Sequence, residues 1–158
     1  MCIRDSFSDM RAVIQRVSQA EVTVQKKIVG AIKDGLLILL GVGPNDAQDD
    51  IQWLVKKIVN MRIFSDEEGK MNQSVLDIAG AALVISQFTL FASTKKGNRP
   101  SYINAAKPEQ ANQLYQDFLS TLRTHLTQVE EGIFAADMKV TLTNDGPVTI
   151  IIDSKNRE

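Results

Sequence analysis

Leu36-Leu37-Ile38-Leu39-Leu40-Gly41-Val42 is the longest apolar run in the chain, and its reading decides the fold. It falls far short of the ~20 residues a bilayer span needs. It lacks the alternation of a strand with one wet face, so it reads as a β-strand covered on both sides. Upstream, Lys33-Asp34-Gly35 turns the chain from a second strand, Ile28 to Ile32. Earlier still, Arg11 to Ser18 carries Val13, Ile14 and Val17, and Glu21 to Gln25 alternates polar residues with Val22 and Val24, predicting two more strands. Downstream, Gly43-Pro44-Asn45-Asp46 breaks the pattern and offers an N-cap. Ile51, Leu54, Val55 and Ile58 then follow at helical spacing to about Met61, with Asp46, Asp49 and Asp50 at the end where the helix dipole favours negative charge.

The second half repeats the mixture. Ser65 to Gly69 reads as a turn, Ala82 to Gln87 as a short apolar strand, and Phe91 to Asn104 as a polar loop. Pro108 opens a second helix where a missing N–H costs little, with Ala111, Leu114, Tyr115, Phe118 and Leu122 as its inward stripe. Met138, Val140 and Leu142 mark another strand, Asn144-Asp145-Gly146-Pro147 is predicted to turn the chain, and Val148 to Ile152 to return it. The expected fold is a single α/β domain of mixed β-sheets, sandwich- or barrel-like, with helices packed on one side.

Composition agrees with one globular domain: 158 residues, 44% hydrophobic and 23% charged. A net charge of −1 argues against a protein that coats nucleic acid through a broad basic surface, though not against local contact with one RNA end. Cys2 is the only cysteine, so no intrachain disulfide forms, which fits a reducing compartment; cytoplasmic is the expectation. With Cys2 and His125 alone, the chain cannot build a His/Cys zinc site, and no loop has magnesium or calcium ligand spacing. No metal or other cofactor is expected. Residues 1–9 lack the apolar core of a signal peptide and read as a non-native or disordered extension ahead of a domain over 10–158.

The sequence argues against conventional triad chemistry, because a Ser or Cys nucleophile needs an imidazole beside it. His125, next to the end of the second helix, reads as a solvated helix-end residue. Ser86-Gln87-Phe88-Thr89-Leu90 ends a strand, and two readings stand side by side. Its hydroxyls either satisfy backbone groups while Phe88 packs, or they face a pocket together with an amide and N–H groups able to stabilise an oxyanion. Lys95, Lys96, Arg99 and Lys107 lie in a stretch with no acidic residue, either a solvated loop or a phosphate clamp. Arg16 sits inside a predicted strand, where it either points outward or pairs with carbonyls.

Taken together, these segments resemble the D-aminoacyl-tRNA deacylase family. The resemblance runs from Met10 to about Asp153 on Gln15-Arg16-Val17, Arg62 to Asp66, Gly69 to Asn72, Ser86 to Leu90, Arg99 to Tyr102, Phe134 to Met138, and Asn144 to Thr149. Each segment is weak alone; in this order and spacing they are specific. The resemblance implies a deacylase-like three-layer α/β/β fold and a homodimer with active sites at the subunit interface. It implies as substrate the ester between a D-amino acid, or glycine, and the 3′-terminal adenosine of a tRNA. By the same resemblance Gly146-Pro147 matches a cis dipeptide that reaches into the partner's pocket and excludes L side chains, with Arg16 bracing it. Ser86, Gln87, Phe88 and Thr89 match the catalytic wall, and Phe134, Ala135 and Met138 the adenine site. Lys95, Lys96 and Arg99 are expected to contact tRNA, and water assisted by the ribose 2′-OH is expected to be the nucleophile.

Overall fold

The computed structural model describes residues 10–157; the expected extension, residues 1–9, lies outside the described residues. The elements run β1 (Arg11–Val24), β2 (Lys27–Ile32), β3 (Gly35–Gly41), α1 (Gln48–Asn60), β4 (Phe64–Ser65), β5 (Met71–Gln73), β6 (Ala81–Ser86), α2 (Pro108–Arg123), β7 (Val129–Glu131) and β8 (Lys139–Asp153), with a short 3₁₀ helix at Phe88–Phe91.

β1 organises the main sheet. Its first half pairs antiparallel with β3 and its second half with β2, while β8 runs antiparallel along nearly its whole length. β3 continues in parallel to β6, and β6 to β7. The parallel pairs require crossovers, and these carry the helices: α1 lies between β3 and β6, α2 between β6 and β7. β4 and β5 form a separate small hairpin.

β3 is covered on both faces, as its sequence predicted. Leu36, Ile38 and Leu40 pack with Ile51, Leu54, Val55 and Ile58 of α1 and with Leu114, Tyr115, Phe118 and Leu122 of α2. Leu37 faces the opposite core with Val17, Ala20 and Val22 of β1, Ile32 of β2, and Leu83 and Ile85 of β6; Leu39, Val140 and Leu142 pack against that core. Two apolar cores lie on either side of β3 and β6: the helices cover one, together with Ala12 and Ile14 of β1 and Ile150 and Ile152 of β8, while β2, the second half of β1 and the first part of β8 curl over the other. Close approach sets the curl. A β-carbon on Gly30 would meet the Glu131 carbonyl at 2.9 Å and Leu83 at 3.3 Å.

Three local expectations are corrected. The two strands read from Arg11 to Gln25 are one, whose register shifts at Gln15/Val17 and Val17/Gln19 interrupt its apolar alternation. The N-cap of α1 does not fall within Gly43–Asp46; it is Ala47, and the Asp50 carboxylate returns to accept the Ala47 N–H at 2.9 Å. Asn144 to Pro147 does not reverse the chain. Thr143 pairs with Gln19, Asn144 with Val17 and Thr149 with Gln15, so β8 advances in one direction on both sides of the segment. The four residues 145–148 have no place in that ladder and stand out as a bulge.

Candidate active site

The bulge is closed at its base by Asn144, whose Oδ1 accepts the Val148 N–H at 3.0 Å and whose amide donates to Thr149 Oγ1 at 3.0 Å. Asp145, Gly146 and Pro147 are exposed, and the Gly146-Pro147 peptide bond is cis. Gly146 has φ +132°, and a β-carbon there would lie 2.9 Å from Arg16 and 2.8 Å from the Val148 side chain, so both backbone and space require glycine. Arg16 does not point into solvent: its side chain is 11% exposed. Its Nε donates to the Asp145 carbonyl at 2.9 Å and its Nη1 to the Ile63 carbonyl at 2.8 Å. A guanidinium fork suits this task, since its donors are coplanar and permanently charged. The bulge is thereby tied through Arg16 to the segment entering β4.

The Ser86 to Leu90 segment lies at the end of β6. Gln87 extends the parallel pairing by donating its N–H to the Leu40 carbonyl at 2.8 Å, and the chain then winds into the 3₁₀ helix. The first N–H groups of such a helix, here those of Phe88 and Thr89, have no acceptor within it. The Thr89 hydroxyl accepts a hydrogen bond from the Gln87 carboxamide. That bond leaves the hydroxyl oxygen partly occupied and supplies no base.

Beside this segment lies a cavity of about 580 Å³. Ser86, Gln87 and Phe88 form one wall and Phe134 to Met138 another, with Tyr102, Ala106 and Ala111 on the side of the loop and α2. The lining is largely apolar with few polar groups, as for a site that holds a small organic group and fixes its orientation. Phe88, 55% exposed, meets Tyr102 edge-on with ring centroids 4.9 Å apart. Phe134 lies 6.1 Å from the ring of buried Tyr115, whose hydroxyl donates to the Val84 carbonyl at 2.8 Å. Burial pushes the Tyr115 phenol above its ordinary range, so it serves as a neutral donor beneath the cavity.

The fold thus gathers Ser86, Gln87, Phe88, Phe134, Ala135 and Met138 around one cavity. Thr89, Arg16, Gly146 and Pro147 do not line it. Nor do Lys95, Lys96 and Arg99, which occupy an exposed loop pinned by reciprocal Ser93–Ser101 backbone bonds of 2.8 Å, one residue before Tyr102. Sequence reasoning passed over Tyr102 as a lining residue. The available signal was an aromatic residue in an otherwise polar loop.

Two solved structures share this architecture. One, described as "c-Myc DNA Unwinding Element Binding Protein", superposes with a TM-score of 0.85 at 42% identity over 90% of this chain and 97% of that one. The other, a probable eukaryotic D-amino acid tRNA deacylase, superposes with a TM-score of 0.80 over 92% and 99%, and at 16% identity shows the fold alone. The class is therefore the deacylase-like α/β domain. Similar sequences narrow it. The D-aminoacyl-tRNA deacylases of Flavobacterium psychrophilum and Christiangramia forsetii are 63% and 60% identical over 94% of this chain and 100% and 99% of theirs. A family model described as D-Tyr-tRNA(Tyr) deacylase matches residues 13–153. The chain belongs to that family and is, like its named relatives, a hydrolase.

Proposed function

We propose that the chain, acting as a homodimer in the cytoplasm, hydrolyses the ester between a D-amino acid and the 3′-terminal adenosine of tRNA, and likewise clears glycine mischarged on tRNA(Ala). The observation that carries this reading is the cavity between Ser86–Phe88 and Phe134–Met138, whose apolar walls adjoin a strand end with main-chain donors. The terminal adenine stacks against Phe134 and the Ala135–Met138 segment. The ester carbonyl faces the Phe88 and Thr89 N–H groups, which stabilise the oxyanion as it forms. Water attacks the carbonyl carbon, the C–O bond to the ribose 3′-oxygen breaks, and the neighbouring 2′-OH relays a proton to that oxygen. Free D-amino acid and tRNA leave. The protein positions the reactants, which alone can be worth a large part of a barrier.

Chirality is read by the Gly146-Pro147 bulge of a second chain. In its own chain the bulge is exposed and away from the cavity, and Arg16 holds it there. Carbonyls of the partner's bulge take the substrate's amino group, and an L side chain collides with the bulge while a D side chain or glycine clears it. Lys95, Lys96 and Arg99 contact backbone phosphates of the acceptor stem beside the Tyr102 rim.

Ester loss from matched D-tyrosyl-, L-tyrosyl- and glycyl-tRNA(Ala) tests the specificity. The D and glycyl esters should be cleaved and the L ester spared; equal rates on D and L would remove the filter, and no loss above the buffer rate would leave a silent tRNA-end binder. A 3′-terminal 2′-deoxyadenosine should abolish turnover, and undiminished turnover would refute 2′-OH assistance. Thr89→Ala should retain most of its rate, whereas a trapped acyl-Thr89 adduct would make its hydroxyl the nucleophile.

A further inference from the structure

β1 carries a second arginine, at its first residue, that also grips a main-chain carbonyl. Arg11 Nη1 donates to the Leu90 carbonyl at 3.0 Å, inside the 3₁₀ helix that begins with Phe88 and Thr89. Its guanidinium carbon lies 4.9 Å from the centre of the Phe91 ring, and Phe91 is buried. Its Nε bonds the Asp153 carboxylate at 3.3 Å. These contacts form one row across three strands, because Arg11 pairs with Gly41 of β3 on one side and with Asp153 of β8 on the other. Gly41 belongs to the arrangement as well. A β-carbon there would stand 2.9 Å from the Phe91 ring and 3.2 Å from the Gln87 carbonyl, so glycine lets the 3₁₀ helix sit down on β3.

We infer that Arg11 is a positioning residue for the reaction: it fixes the 3₁₀ helix, and with it the Phe88 wall and the Phe88 and Thr89 N–H groups, against the sheet. The guanidinium favours this end of a helix, where carbonyls project and a cation is stabilised. It covers the face of Phe91, a contact that attracts a cation electrostatically. Asp153 aims the fork. The inference rests on the site reading above. Arg11 lines a different hollow, with Val13, Leu90 and Ile151, and reaches the helix through the Leu90 carbonyl.

The test is steady-state hydrolysis of D-tyrosyl-tRNA by the full-length chain carrying Arg11→Met, Arg11→Ala or Asp153→Asn, with thermal melting recorded for each. Loss of the fork loosens the donors that act only as the oxyanion forms, so kcat for Arg11→Met should fall about 10- to 100-fold with KM nearly unchanged. Asp153→Asn should show a smaller kcat loss. Guanidinium ion added to Arg11→Ala at millimolar levels should recover part of kcat without moving KM. A kcat within about twofold of wild type for Arg11→Met would overturn the inference. So would a loss that tracks the melting temperature and ignores guanidinium. Should Arg11→Met not fold, Arg11→Lys carries the decision, since it keeps the charge and loses the planar fork. Phe88→Ala is measured alongside: if it alone is without effect, the site reading has failed; if it is inactive while Arg11→Met is not, only this inference has.

Discussion

Asp46 and Asp50 stand one helical turn apart at the start of α1, and both carboxylates are buried against Lys155, whose Nζ lies 3.0 Å from one and 3.1 Å from the other. Their surroundings push them in opposite directions. Burial raises Asp46 to about 6, despite the Gly43 N–H and Lys155. For Asp50 burial also acts upward as the largest single influence, but the Ala47 N–H, the Ser154 hydroxyl and Lys155 together hold it below the ordinary carboxylate value. Between pH ~4 and ~6 the folded chain keeps a proton on Asp46 that the unfolded chain has released, so this group's contribution to stability is lost as pH rises through that window. Asp50 contributes in the other sense, but its stabilisation is already complete above its ordinary value. Asp46→Asn should therefore remove a fall in stability of on the order of 1–3 kcal/mol between pH 4 and 6.5, read as the wild-type minus variant difference in urea unfolding. A flat difference curve would show that Asp46 titrates as an ordinary carboxylate. None of this was legible in the sequence. Asp46 read as a charge favoured by the helix dipole because it precedes a periodic run, whereas Lys155, its ion-pair partner, is 109 residues away.

At the level of elements, legibility followed how local the causes are. β3 was readable because burial on both faces leaves no polar position, and α2 because Pro108 and the Ala111-to-Leu122 stripe are self-contained signals. The continuity of β8 was not, because turn-forming residues in a bulge and in a hairpin are the same residues, and only pairing with β1 distinguishes them. Half of the site shared this fate. The cavity residues of Ser86–Phe88 and Phe134–Met138 sit on segments whose chemistry can be named from sequence, but the path of Arg11 to the Leu90 carbonyl depends on a fold that brings position 11 beside position 90. β3 and β6 also make a sharp prediction. A β-carbon at Gly35 would lie 1.9 Å from the Ala81 carbonyl, at the pair that opens the parallel ladder, and the obstacle is backbone, not a flexible side chain. Gly35→Ala should cost about 3 kcal/mol or more, at or above the upper end for overpacking, and lower the urea midpoint accordingly. A midpoint like that of wild type would mean the two strands can separate at this end without loss.

For the whole molecule, the proposed composite site can be tested by mixing. A chain with Gly146→Ala retains its cavity and a chain with Phe88→Ala retains its bulge, so neither should be active alone. After subunit exchange at equal amounts, half of the dimers are mixed and each holds one intact site, so about a quarter of wild-type activity should return. No recovery despite demonstrated exchange would place cavity and bulge in the service of the same chain. The bulge also affects how the protein behaves in a crowd. β8 is 15 residues long, and among the described residues it pairs only with β1, so its other flank makes no strand pairing there. An uninterrupted flank of that length is a template for sticking. Residues 145–148 break it into two short lengths, so the irregularity argued to sort mirror images also keeps the protein from zipping onto strangers.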